Sequence, residues 1–307
     1  MNGAKFDMVT ILGPTASGKT EVAVKLALKF GGEVISADSR QIYRNMDLGT
    51  GKDIEEYRVN GVDVPYHLID IAEAGYQYNV FEFQRDFLKA YQAISEKGSF
   101  PVMCGGSGMY LEAILKGYRL IQVPVNEGRR AELQLLSLED LTEILKHYKS
   151  INNTSDTENN KRAIRAIEIE EFCLAHPETD LSFPVINSLI VGVKYDRDSR
   201  RRRITARLKQ RLDNGMIDEV QKLMDNGLKP EDLTYYGLEY KYLTLFITGK
   251  LTYDEMFEGL NTAIHQFAKR QMTWFRKMER DGFEIKWLDG YMPTDEKTDK
   301  IISWLNQ

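Results

Sequence analysis

Cysteine is nearly missing from this 307-residue chain: only Cys104 and Cys173 occur, far apart and in no C-x-x-C pair, with four scattered histidines. That spacing excludes a disulfide framework and a zinc-ligand pattern, so neither a disulfide nor a structural metal is expected. No apolar run reaches the roughly 18 residues that a membrane-spanning helix needs, and no leader pattern precedes the first strand. A soluble, cytoplasmic protein without a membrane partner is therefore expected. Internal repeats and low-complexity linkers are missing as well. So is an excess of positive charge: 41 Lys and Arg against 46 Asp and Glu give a formal net charge of −5. A general nucleic-acid coat protein would be basic overall, although a local basic groove stays open. No long exposed apolar stripe suggests a dimer, and a monomer is expected.

What is present begins at residues 8–20, MVTILGPTASGKT. Met8 to Leu12 read as a buried strand, and Gly13, Gly18, Lys19 and Thr20 complete G-x-x-x-x-G-K-[ST]. The two glycines let consecutive backbone N–H groups turn inward, the following helix offers its positive end, Lys19 reaches an outer phosphate, and the Thr20 hydroxyl is placed for Mg²⁺. Loops of this type bind nucleotides such as ATP, so the spacing predicts an oligophosphate ligand with Mg²⁺.

Apolar periodicity then marks a helix from Glu21 to Phe30 ended by Gly31-Gly32, and a short strand from Glu33 to Ala37. The strand delivers Asp38-Ser39-Arg40-Gln41 at its carboxyl end, where open parallel sheets carry their chemistry. By position alone Asp38 is as readily a turn aspartate as a catalytic one. It is the only acid the spacing places well. Residues 44–79 are rich in turn formers and read as a long excursion over the active face. Val80 to Lys97 is an amphipathic helix with Val80, Phe83, Phe87, Tyr91 and Ile94 on one stripe, and Phe100 to Cys104 is a strand. That strand ends in Gly105-Gly106-Ser107-Gly108, which is either a tight strand-to-helix turn or a placement of the Ser107 hydroxyl at the phosphate pocket.

From Leu120 to Pro184 the alternation stops and helical segments follow, one opened by the capping-box pattern Ser137 to Asp140 and one from Lys161 to Leu174. The pattern predicts a P-loop α/β core over 1–119 and 185–307, a parallel sheet flanked by helices, with a helical insertion over 120–184. Ser188 to Val193 resumes the sheet. Asp198 is expected to cap one long helix reaching Asn226, with Ile204, Leu208 and Leu212 buried. Beside them Arg203, Arg207 and Arg211 recur every four residues within a crowd that also holds Arg197, Arg200, Arg201, Arg202 and Lys209. Such a row is either a solvated face or, at the mouth of the site, a source of one phosphate ligand. A tyrosine-rich turn follows, Tyr235, Tyr236, Tyr240 and Tyr242 around Gly237, mostly packing but with room for one ring to stack on a base. The capping box Thr252 to Glu255 opens a helix to Arg280, with Met256, Leu260, Ile264 and Phe267 expected to be buried, followed by a strand at Phe283 to Leu288 and a helix at Thr294 to Leu305. These residues alone do not name the reaction: a P-loop kinase of a small metabolite or nucleotide fits the loop, as does a nucleotide-gated nucleic-acid module.

Nearly end to end, the chain resembles the tRNA dimethylallyltransferases, also called isopentenyl-tRNA transferases. The resemblance rests on GPTASGKT (13–20), DSRQIYRNMDLGTGK (38–52), GGSGMYLEAIL (105–115), NNKRAIRAIEI (159–169) and AKRQMTWFR (268–276). It implies transfer of the five-carbon group of dimethylallyl diphosphate to the exocyclic N6 amine of the adenosine just 3′ of the anticodon, in tRNAs reading codons that begin with U. Gly13, Pro14, Thr15, Ala16, Ser17, Gly18, Lys19 and Thr20 would then hold the diphosphate, with Mg²⁺ at Thr20 and Arg207 as a further diphosphate ligand. Asp38 would be the general base and Ser107 would assist at the transferring end. Contacts to the tRNA anticodon stem-loop would fall on Asp38, Ser39, Arg40, Gln41, Ser107, Arg129, Lys161, Arg162 and Arg165, and on the Thr234 to Glu239 turn. The chain departs from the family's pattern at Ser107, where Thr is commoner, and at Ile264-His265, where an Arg is common. His265 is expected to be a satisfied, half-buried histidine.

Overall fold

The structure is a computed structural model, and it describes residues 5–118, 120–151, 156–177 and 182–307. Strand β1 (Met8–Leu12) is buried along its whole length and runs through the loop into α1 (Lys19–Phe30), which Gly31 ends in the left-handed conformation. β2 (Glu33–Ser36) leads into the long excursion. Within that excursion lie a 3₁₀ turn (Ile54–Tyr57), the two-residue strands β3 (Arg58–Val59) and β4 (Val62–Asp63), which pair antiparallel, and β5 (Tyr66–His67). β5 was too short to announce itself by periodicity, yet it pairs with β2 at the sheet's edge.

α2 (Val80–Glu96) starts at Asn79 and Glu82 in a reciprocal capping box, and β6 (Pro101–Gly105) feeds α3 (Gly108–Leu115). Three helices follow, α4 (Glu127–Leu133), α5 (Leu138–Tyr148) and α6 (Asn160–Ala175). The capping box at Ser137 and Asp140 forms as the sequence indicates. β7 (Ser188–Lys194) then leads to α7 (Arg197–Asp213), α8 (Met216–Asp225), α9 (Pro230–Leu233) and α10 (Leu238–Ile247). The chain closes with α11 (Tyr253–Arg280), β8 (Lys286–Asp289) and α12 (Thr294–Leu305).

The helix expected from Asp198 to Asn226 is two helices. Its cap is Asp196, whose Oδ1 accepts from the N–H groups of Asp198 and Ser199 at 2.9 and 3.0 Å. The break falls at Asn214-Gly215, where Gly215 takes φ +95°, a conformation that ends helices.

The chain divides into two compact units, Met1–Tyr118 with Pro184–Gln307, and Arg119–Phe183. In the first, six strands in the order β5-β2-β6-β1-β7-β8 all run parallel. α1 and α12 cover one face through Val22, Leu26 and Ile301 against Val9, Ile11, Val102 and Val191. Met8, Thr10 and Leu12, pointing to the other face, are equally inaccessible, so the sheet is covered on both sides as parallel sheets require. The carboxyl ends of β1, β2, β6 and β7 therefore deliver Gly13, Asp38, Ser107 and Tyr195 to one edge. The second unit has its own core of Leu133, Leu141, Leu145, Ile164 and Ile167.

Candidate active site

A cavity of about 1140 Å³ opens at that edge, lined by the loop Thr15–Thr20, by Asp38 to Gln41, by Ser107, and by Arg203, Arg207 and Arg211 of α7. The loop is held in a costly shape. Ala16 sits at φ +61° and Gly18 at +77°, and a non-glycine residue there stores roughly 1–3 kcal/mol of strain of the kind that accumulates at ligand-binding backbones.

Two groups of the loop lack partners. Ser17 is 2% exposed, and its buried Oγ has no hydrogen-bond partner among the described residues. Lys19 is half-buried and donates to no acceptor among the described residues; desolvation lowers its pKa, opposed by Cys104 and Asp38. The Lys19 ammonium is a group that an anion in the cavity would satisfy. Beneath them burial pushes the Cys104 thiol up to about 12, so it stays a neutral packing group.

What clamps the loop from the far end of the chain is Gln271 on α11. Its Oε1 accepts from Thr15 N–H at 2.9 Å and its Nε2 donates to Gly106 O at 2.9 Å. Asp38 Oδ1 accepts from Arg40 N–H at 3.0 Å, while Oδ2 has no protein donor among the described residues. The Ser107 hydroxyl accepts from Ser39 N–H at 3.0 Å and lies 3.2 Å from Ser39 Oγ, tying the β6–α3 turn to the segment after β2. Arg40 donates to Tyr235 O at 2.8 Å and stands over the Tyr235 ring. Gln41 faces inward: at 9% exposure it donates to Gly51 O and accepts from Ser36 Oγ, both at 2.9 Å.

The arginine row is not a solvated side of the helix. Arg203 donates to Ala16 O at 2.9 Å and lies over Tyr195. Arg207 and Arg211 both pair with Asp53, the latter at 3.3 Å. Burial works against the Asp53 carboxylate, but the two guanidiniums outweigh it and hold its pKa below the ordinary value. Gly51 lets them in: at φ +66°, a Cβ there would lie 1.8 Å from the Arg211 guanidinium. The loop around it is bolted by Glu219, which accepts from the N–H groups of Asp47, Leu48 and Gly49 at 2.7–3.0 Å, and by Lys52, 1% exposed, which donates to Tyr43 O and Asp47.

Three expectations change here. Asp38 is not the only well-placed acid: Asp53, Glu56 and Glu239 share the cavity. Burial raises the pKa of Glu56, with Asp53 adding to it, and burial raises that of Glu239 too. Phe267 is 38% exposed and lines the cavity with Ile264, Met109 and Trp274, because the buried stripe of α11 rotates onward through Ala268, Met272 and Phe275. His265 is only half satisfied, with Nε2 3.3 Å from Thr205 Oγ1 and Nδ1 without a partner among the described residues.

The second unit carries the other predicted residues. Arg129 pairs with Glu171 at 2.7 Å and Glu132 at 2.9 Å, Arg165 pairs with Glu168 at 3.0 Å and donates to Val123 O at 2.8 Å, Arg162 pairs with Glu158, and Lys161 is exposed. Gln271 and Trp274 belong to the AKRQMTWFR segment, whose position on the helix gave them no role. Asp53 had no signal beyond its place after the glycine turn.

A family model described as IPP transferase matches residues 41–278. The chain belongs to this family. It is 63% identical over 302 residues to a protein named tRNA dimethylallyltransferase 2 from Bacteroides fragilis, covering 98% of this chain and 99% of that one. A protein of the same name from Phocaeicola vulgatus is 59% identical, with 98% of each chain covered. Among solved structures, the full-length tRNA isopentenylpyrophosphate transferase from Bacillus halodurans superposes with a TM-score of 0.72 at 32% identity, covering 98% of this chain and 95% of that one. The expected parallel sheet and its flanking helices are thus the family's architecture. Among the described residues no helix is long and apolar enough to cross a membrane.

Proposed function

We propose that this protein transfers the dimethylallyl group of dimethylallyl diphosphate to N6 of the adenosine 3′ of the anticodon in tRNAs reading codons that begin with U. The observation that carries it is the meeting, in one cavity, of a phosphate loop with unpartnered Ser17 and Lys19, the open Oδ2 of Asp38, and an apolar wall of Ile264, Phe267, Met109 and Trp274. The loop, Lys19 and Arg207 receive the diphosphate, and the apolar wall receives the five-carbon tail.

The adenine amine is a weak nucleophile, because its lone pair is delocalised into the ring. As the bond from N6 to C1 of the dimethylallyl group forms and the C1–O bond breaks, that nitrogen becomes acidic, and Asp38 accepts its proton. Negative charge moves onto the departing diphosphate, where loop N–H groups, Lys19 and Arg207 stabilise it. Thr20, with Asp38 and Glu56 lining the same cavity, would offer oxygen donors of the kind Mg²⁺ takes beside phosphate oxygens and water. When bound there, the ion supplies further charge neutralisation to the leaving group. Ser107 holds the segment of Ser39 and reaches the transferring end. Arg40 and Tyr235 form a platform on which an extruded base stacks, and extrusion from a single-stranded loop costs little. Arg129, Lys161, Arg162 and Arg165 give the second unit its contacts to the anticodon stem-loop. We place the enzyme in the cytoplasm, with its tRNA substrate, as a monomer.

The test is incubation with labelled dimethylallyl diphosphate, Mg²⁺ and unmodified tRNA. Label on the RNA is expected. Label absent from the RNA, with rapid ATP turnover on a small metabolite, establishes a kinase instead.

A further inference from the structure

Arg203, Arg207 and Arg211 have their partners inside the cavity, which leaves the rest of the basic crowd on α7 unexplained. Arg197, Arg201, Arg202 and Lys209 are exposed and Arg200 is half-buried, and none of the five forms an ion pair among the described residues. Arg276 of α11 is unpaired too and lies close enough to Arg200 to weaken its hold on its proton, after burial and together with Arg197. Other cations of the first unit do have carboxylate partners, Lys52 with Asp47, Lys97 with Glu33 and Lys277 with Glu112. Like charges four residues apart on a helix, such as Arg197 and Arg201, destabilise it slightly. The acids beside the run, Asp196 and Asp198, stand at the start of α7, and Asp196 Oδ1 is taken up in capping it.

Between the two helices runs a groove of about 440 Å³ lined by Arg201, Arg202, Thr205, Lys209, Asn261 and His265. Ala206 borders both this groove and the catalytic cavity. A polyanion with one nucleotide in the cavity can therefore continue along this face, meeting guanidiniums suited to phosphate and the polar Thr205 and Asn261.

We propose that the outer face of α7 and the adjoining flank of α11 form a second RNA contact, gripping phosphates of the tRNA backbone beyond the nucleotide that is modified. The inference rests on the tRNA substrate proposed above.

The experiment measures tRNA binding against salt for the wild type and for the variant Arg197→Ala/Arg201→Ala/Lys209→Ala. Each phosphate contact contributes roughly 0.7–0.9 to the slope of log K against log salt, so the variant is expected to lose about two in slope and to bind tRNA at least about tenfold more weakly at 150 mM salt. Its KM for dimethylallyl diphosphate stays at the wild-type value. The charge-keeping variant Arg197→Lys/Arg201→Lys/Lys209→Arg recovers the slope. Should the triple variant fail to fold, Arg201→Glu alone reads the same quantity, with an expected slope loss of about one. A variant that binds tRNA with wild-type slope and affinity overturns the inference and makes this face a solvated one. That outcome differs from failure of the transferase assignment, in which the wild type itself transfers no label to RNA.

Discussion

Asp53 lies between Arg207 and Arg211 and is the carboxylate to which both guanidiniums bind. It occupies the left-handed region at φ +44°, unusual for aspartate, so the backbone pays a strain to bring it there.

Asp53→Ala leaves two guanidiniums in the cavity wall without their counter-ion, and a loss of about 1–3 kcal/mol is expected. Diphosphate then supplies the missing negative charge. Thermal melts should show a larger stabilisation by inorganic diphosphate in the variant than in the wild type. Equal shifts mean that the pair is incidental to the ligand.

Gln271 spans the loop and the β6–α3 turn with one side chain, serving Thr15 N–H and Gly106 O. Gln271→Leu strands both backbone groups, each worth roughly 1–3 kcal/mol when buried and unpaired. The KM for dimethylallyl diphosphate should rise at least about tenfold, and that for tRNA should move far less. Steady-state kinetics with each substrate varied in turn decides this.

Glu112 is fully buried and is held by Lys277 at 2.8 Å and Lys116 at 2.6 Å. Burial opposes its charge, but hydrogen bonds from Lys116 and Lys277 prevail and lower its pKa. A lowered folded-state pKa means stability that is complete above the unfolded value of about 4.3 and is lost as pH falls through the folded value. Glu112→Gln should cost about 1–3 kcal/mol at pH 7 and less at pH 3, below the unfolded value, where the wild type is losing the same contribution. Denaturant melts at the two pH values measure the gap; a gap that does not narrow in acid assigns the effect to packing.

Local signals carried much of the fold. The glycine spacing at 13–20, the capping boxes at Ser137 and Thr252, and the apolar stripes of α2 and α11 each predict an element within a few residues of where it forms. What escaped depends on distance in sequence or on small backbone choices. Gln271 reaches Thr15 across 256 positions, and nothing near either residue encodes the meeting. Asp53 meets Arg207 across 154 positions. Gly215 could be tolerated inside a helix, and only its left-handed conformation divides α7 from α8. Phe267 fits the apolar count of its helix, but the stripe turns by a residue per few turns and leaves that ring facing the cavity. In the site, Asp38, Ser107 and the loop were legible because strand ends in a parallel sheet converge on one edge; Glu56 and Trp274 were not, since their approach is set by packing.

In the proposed reaction Asp38 removes the proton from the adenine amine while the loop holds the leaving diphosphate. Single-turnover transfer from labelled dimethylallyl diphosphate to tRNA, both saturating, tests it with Asp38→Asn, which keeps the side chain's size and its acceptor for Arg40 N–H. The expected result is wild-type tRNA affinity with a loss of at least about 10²-fold in the transfer rate. Transfer at the wild-type rate, or weakened tRNA binding with the rate intact, contradicts it and leaves Asp38 as a residue that only positions the RNA.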